Sequence, residues 1–182
     1  LARPTRSDRP PESSTVMHIS IQEGYVPGCI GRIAQLHASH YAASNGFGVA
    51  FEAKVARELA DFCQNYVPGR DGIWLAQRDG RIEGSVVIDG TNAETQGAHL
   101  RWFITSAAIR GQGVGAQLLA KAIEFVQSRR YRTTYLWTFA GLDAARHLYE
   151  SHQFQLVHEA AGNQWGSVVT EQRFERVTTE PM

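Results

Sequence analysis

Residues 99–126 read HLRWFITSAAIRGQGVGAQLLAKAIEFV. A strand-like apolar run ends near Thr105. After a short turn, Arg110-Gly111-Gln112-Gly113-Val114-Gly115 opens a helix with Leu118, Leu119, Ala122, Ile123 and Val126 on one face. Glycines at a helix start let the backbone approach a ligand closely. The first N–H groups of the helix have no partner inside it and carry the positive end of its dipole, so they favour a phosphate. Arg110 adds a charge-assisted contact. The run from Arg110 to Ala116 therefore reads as a pyrophosphate cradle.

Spacing narrows the kind of cradle. A Walker loop needs G-x-x-x-x-G-K-[ST], and no Lys-Ser or Lys-Thr pair follows these glycines. The dinucleotide fingerprint is met in letters by Gly111, Gly113 and Ala116, but it requires a carboxylate at the end of the next strand. That strand, Thr133–Phe139, ends in Trp137-Thr138-Phe139. A third pattern, [RQ]-x-x-G-x-[GA], is satisfied by Arg110, Gly113 and Gly115.

Composition sets the frame. At 182 residues the chain is long enough for one sizeable core. Eighteen basic and eighteen acidic residues cancel, so bulk charge does not point to nucleic acid. Apolar runs are too short and interrupted to span a membrane. Cys29 and Cys63 lack metal or redox spacing, which suits a reduced cytoplasmic protein. Residues 1–16 are rich in Pro, Arg and Ser and read as a flexible tail, leaving 17–182 as a single domain.

Along the domain, Met17–Ile21 alternates as a first strand. Ile30–Ala43 and Phe51–Tyr66 carry helical spacing, broken by Asn45-Gly46 and ended by Pro68-Gly69. Ile73–Gln77 and Ile82–Ile88 flank Asp79-Gly80, a strong hairpin signal. Strands follow at Ala98–Ile104, Thr133–Phe139, Phe154–His158 and Gln164–Arg176, with a helix at Leu142–His152. Hairpin strands followed by a strand–helix–strand crossover predict an α/β architecture on a mixed sheet.

The loop motif and this order of elements resemble the GNAT N-acetyltransferase family. Leu148-Tyr149-Glu150 ahead of Phe154 looks like the helix that carries the family's tyrosine. The stretch from Ile21 to Asp89 is similar to the acetyltransferase half of certain bacterial regulator–acetyltransferase fusions. The resemblance implies acetyl-CoA as cosubstrate, with its pyrophosphate on residues 110–116. It implies that Ala98–Thr105 and Thr133–Phe139 splay apart around the pantetheine arm, which pairs with Phe103, Ile104 and Thr105. It also makes Tyr149 the acid that protonates the departing thiolate. Two positions depart from the family pattern. Gln153 stands where a Gly is usual, and Phe139 replaces an Asn that touches pantetheine.

The reaction so implied is attack of an amine on a thioester, and N–H groups near Phe103 or Ile104 would polarise its carbonyl. For the base the residues leave several candidates. Glu52 lies in the segment that builds the acceptor side in the family, and it reads equally as a solvated helix charge. His37, His40, Glu83, Glu94 and His99 are the others, and water can serve instead. His37 and His40 share a helix face but lack a third ligand, so no metal site is expected. Gly84-Ser85 lacks the nucleophile-elbow pattern of a hydrolase. The leading reading is an enzyme acetylating a small amine or amino acid, with the aromatic segment Leu36–Phe51 shaping a compact pocket. A homodimer is compatible with it. The competing readings are a sensor that binds acyl-CoA without turnover and a protein or peptide acetyltransferase.

Overall fold

The computed structural model describes residues 18–179. The elements in chain order are β1 (Ile19–Glu23), α1 (Cys29–Asn45), α2 (Val49–Gln64), β2 (Gly72–Arg78), β3 (Arg81–Asp89) and β4 (Ala98–Thr105). They continue with α3 (Val114–Ser128), β5 (Thr133–Phe139), α4 (Asp143–Ser151), β6 (Gln155–Gly162) and β7 (Val169–Val177). The strands form one mixed sheet in the order β1-β2-β3-β4-β5-β7-β6. All neighbours are antiparallel except β4 and β5. The expected tail at 1–16, and Met17, lie outside the described residues.

Period-two alternation divides the sheet residues between two layers. Trp74, Val86, Ile88, Leu100, Leu136 and Phe174 face α3 and α4, where they meet Leu118, Leu119, Val126 and Phe154. Ile73, Leu75 and Val87 face α1 and α2, where they meet Ile33, Phe51, Val55 and Leu59. With both faces covered, β3 is buried almost without a break from Ile82 to Ile88, as a central strand should be. The Asp79-Gly80 turn takes φ of 51° and 77°, the paired positive angles of a tight hairpin turn.

The main departures from the expected boundaries lie at the two ends. The first strand is displaced toward Glu23, because Ser20–Glu23 pair with Trp74–Gln77 and continue past Ile21. The last two strands meet around a turn at 163–168, where the sequence pattern predicts strand from Gln164 onward. Gln164 donates there from N and Nε2 to the Glu171 carboxylate, and Gly166 takes φ of 85°. Among the described residues no helix is long and apolar enough to cross a membrane.

Candidate active site

The parallel pair β4–β5 is joined only at Ala98–Thr134 and His99–Tyr135. Beyond these residues the strands part, so the edge of β4 from Leu100 to Thr105 has no strand partner on that side. A cleft of about 440 Å³ opens in the gap. Its walls are β4, β5, the helices α1 and α2, Tyr149 from α4, and Gln164-Trp165 from the β6–β7 turn.

A bulge in β4 shapes one wall. Ser85 pairs with Ile104 and Val87 with Arg101, so Val86 alone opposes both Trp102 and Phe103. Trp102 takes φ of 45°, unusual for a large residue, and its carbonyl accepts a 2.6 Å bond from the buried Ser85 hydroxyl. The bulge resets the alternation. Arg101 and Trp102 fall on the same side, with the guanidinium 4.1 Å over the indole. Trp102 joins the α1/α2 layer, and Phe103 turns toward the α3/α4 layer.

At the far end of β4 the loop to α3 is open on one side. Gly111 and Gly113 take φ of 77° and 75°, and a side chain built on either would meet no atom within 4 Å. Gly113 is the N-cap, and no side chain caps the helix. The first bond of the helix is Gln117 N to Gly113 O, so the N–H groups of Val114, Gly115 and Ala116 have no acceptor within it. Ile109, fully buried, anchors the loop in the core. Arg110 Nη2 donates to the Thr105 carbonyl at 2.9 Å. Gly115 packs close behind Phe103, where an added Cβ would stand 3.6 Å from the ring.

Tyr149 reaches the cleft from α4. Its ring lies among Phe103, Phe154 and Phe174 at centroid distances near 6 Å. Burial, with a smaller push from Tyr41, raises its phenol well above the ordinary range, so the hydroxyl is protonated at neutral pH.

The family model described as Acetyltransferase (GNAT) family matches residues 33–154. The chain belongs to the GNAT acetyltransferase family. Over 108 residues it is 32% identical to N-acetylaspartate synthetase of Xenopus tropicalis, a match covering 58% of this chain and 39% of that protein. The chain thus spans about two fifths of the length of that relative. It is 27% identical over 154 residues to the uncharacterized N-acetyltransferase YjgM of Escherichia coli K12, covering 84% and 88% of the two chains. Among solved structures, yncA of Salmonella typhimurium, determined with its cofactor acetyl-CoA, superposes with a TM-score of 0.69. That match has 13% identity and covers 90% of this chain and 95% of that one, a likeness of fold.

Within this GNAT frame the candidate bases separate. Glu52 is exposed in the first turn of α2, where it complements the helix dipole, and it does not line the cleft. Glu83 is buried against Arg32 at 3.0 Å and Arg81 at 3.5 Å, tying α1 to β3. Glu94 is exposed in the β3–β4 connection. His37 and His40 diverge. His40 borders a smaller groove of about 270 Å³ with Arg32, Ser106 and Arg110. His37 lines the main cleft and donates from Nδ1 to the Ile33 carbonyl at 2.9 Å, which leaves Nε2 as its acceptor. Burial pushes its pKa down to about 4. His99 stacks on Tyr135 at 4.4 Å and is held down to about 3 by burial and by Arg101 and Arg173. Both imidazoles are neutral at pH 7. Among the described residues no group of His, Cys, Asp or Glu could hold a metal.

Several lining residues escaped the sequence reading: Lys54, Glu58, Arg101 and Trp165. Tyr41 packs edge-on against Phe51 and Phe139, and burial pushes its pKa up to about 12. Phe139, the residue in place of the family's Asn, is thus part of an aromatic cluster that also takes in Phe47 and Trp165. Lys54 and Glu58 could have been found at i, i+4 on one helix face, a pairing visible in sequence. Arg101 carries no such signal.

Proposed function

We propose that the chain transfers the acetyl group of acetyl-CoA to the primary amine of a small molecule or amino acid by direct attack. One observation carries this reading: the gap between β4 and β5 joins an open, glycine-lined helix N-terminus at one end to a walled cleft at the other. The acetyl-CoA in the yncA structure and the amino-acid product in the name of the Xenopus relative support it.

In this reading the N–H groups of residues 113–116 hold the diphosphate. Arg110, now bonded to Thr105, turns to it. The unpaired edge of β4 at Phe103, Ile104 and Thr105 binds the arm, and the N–H groups at Phe103 and Ile104 polarise the carbonyl. Acetyl-CoA supplies an activated thioester. As the N–C bond forms and the C–S bond breaks, Tyr149 gives its phenolic proton to the sulfur, and water takes the proton from the nitrogen. The placement of Glu52 outside the cleft favours water over that carboxylate. The positioning of two reactants in one cleft supplies the larger part of the rate.

The test is thiol release from acetyl-CoA across amino acids, polyamines, aminoglycosides and peptides. Acceptor-dependent release with a small amine is expected. Release with peptides alone would overturn the small-molecule reading. Tight acetyl-CoA binding with no release for any acceptor would make the protein a sensor.

A further inference from the structure

On the α2 wall of the cleft, two cations close on one carboxylate. Lys54 Nζ donates to Glu58 Oε1 at 2.5 Å, and Arg101 Nη2 donates to Glu58 Oε2. All three side chains line the cleft. Arg101 has a second anion behind it, Asp89, at 3.6 Å, and lies flat on Trp102. His37 and His99 are neutral and both tyrosines are protonated, so the charged side chains lining the cleft are Lys54, Arg101 and Glu58, with Asp89 behind Arg101 outside it.

That balance bears on the acceptor. A primary amine is a cation at neutral pH, and the Glu58 carboxylate it would meet here is already shared by two cations. An amine that brings its own anion does not depend on that carboxylate. The site, moreover, already binds a carboxylate, that of Glu58. The Glu58 and Lys54 side chains are each about one-third exposed, at 33% and 32%, so Glu58 can swing into water. Arg101 cannot follow, being held by Asp89 and Trp102. A substrate carboxylate of the same geometry would then exchange one charge-assisted pair for another, with the guanidinium already in position.

We propose that the acceptor carries a carboxylate beside its amine, and that Lys54 and Arg101 bind that carboxylate in the place Glu58 occupies. The inference rests on the acetyltransferase reading and names its substrate class. Polyamines and aminoglycosides, which add positive charge, are disfavoured acceptors.

The experiment compares matched pairs on the full chain loaded with CoA. The probes are L-alanine, L-leucine, L-methionine and L-phenylalanine against their α-amides, and L-aspartate against its diamide. Binding is read by calorimetry, and turnover by thiol release with acetyl-CoA. At least one acid should bind roughly 10- to 100-fold more tightly than its amide, the range for a charge-assisted contact. Lys54→Met should erase most of that ratio. Glu58→Gln, which removes the internal competitor, should tighten acid binding and leave amide binding little changed. Melting temperature and CoA affinity show that each variant is folded. Amides that bind as well as acids, no binding by either, or weaker acid binding in Glu58→Gln would overturn the proposal. Selective binding of acids without turnover would overturn the catalytic reading and leave the carboxylate site of Lys54 and Arg101 standing. Turnover confined to amides would do the reverse.

Discussion

At the scale of single residues, the proposed function gives the side chains at the two ends of the β4–β5 gap separable tasks. Arg110 acts on binding. Its guanidinium is the cation of the loop and now satisfies the Thr105 carbonyl. Arg110→Ala should weaken CoA binding by roughly 1–3 kcal/mol, checked by calorimetry. Unchanged affinity would place the diphosphate elsewhere. Tyr149, in the same proposal, acts on the chemical step. Tyr149→Phe keeps the ring among Phe103, Phe154 and Phe174 and deletes only the proton. Turnover should fall by about 10²–10⁴ with CoA affinity little changed. A variant that turns over at the parent rate would leave Tyr149 as a packing residue.

At the scale of elements, helix α4 ends under strain. Gln153 takes φ of 69° at the position after the helix, the conformation glycine adopts there without penalty. Its N–H donates to the Glu150 carbonyl and the next N–H to Tyr149, so the geometry is held by helix-end bonds. Glycine would remove the steric cost of roughly 1–2 kcal/mol and return part of it through the entropy of the unfolded chain. Gln153→Gly should therefore stabilise the protein by up to about 1 kcal/mol, raising Tm by roughly 2–4 °C. A lower Tm would show that the Gln side chain stabilises the helix end in another way. The bulge in β4 is the counterpart inside the sheet, where the Ser85 hydroxyl supports a Trp in the left-handed region and thereby aims Arg101 and Phe103 at opposite sides.

At the scale of the whole molecule, packing α1 against the sheet buries an imidazole. His37 titrates near 6.5 in the unfolded chain and near 4 in the folded one, chiefly because burial disfavours its charged form. Between those values the unfolded chain binds more protons, so stability is intact above about pH 6.5, declines as pH falls toward about 4, and levels off below. The loss from this group is on the order of 3 kcal/mol. His99 acts in the same direction at lower pH. Melting curves from about pH 7.5 to 4 should show Tm falling across that window, and His37→Leu should flatten the decline. An unaltered slope in the variant would assign the acid sensitivity to other groups.

What was legible in the sequence was contiguous. The loop from Arg110 to Ala116, the helix behind it and the Asp79-Gly80 hairpin are short-range patterns, and local backbone preference decides them. The mixed sheet followed from their order. Tyr149 was legible because its helix ends on a recognisable residue pattern before Phe154. The cleft was legible only in part: His37, Tyr41 and Phe51 come from the aromatic segment Leu36–Phe51, whereas Lys54, Glu58 and Arg101 are brought together from farther along the chain. Glu52 and Glu58 both lie on α2, six residues apart and so about 120° around the helix. Only the docking of Phe51, Val55 and Leu59 into the core decides that Glu58 and Lys54 turn to the cleft and Glu52 to water. Arg101 meets Glu58 across 43 positions of sequence, and just beyond it a bulge at Trp102 breaks the alternation that strand periodicity assumes. Local sequence thus determined an open helix N-terminus with free N–H groups, the backbone groups the proposal gives to a phosphate. Which charges face the cleft was decided by helix rotation and strand register, and these are settled only when the two layers pack on the sheet.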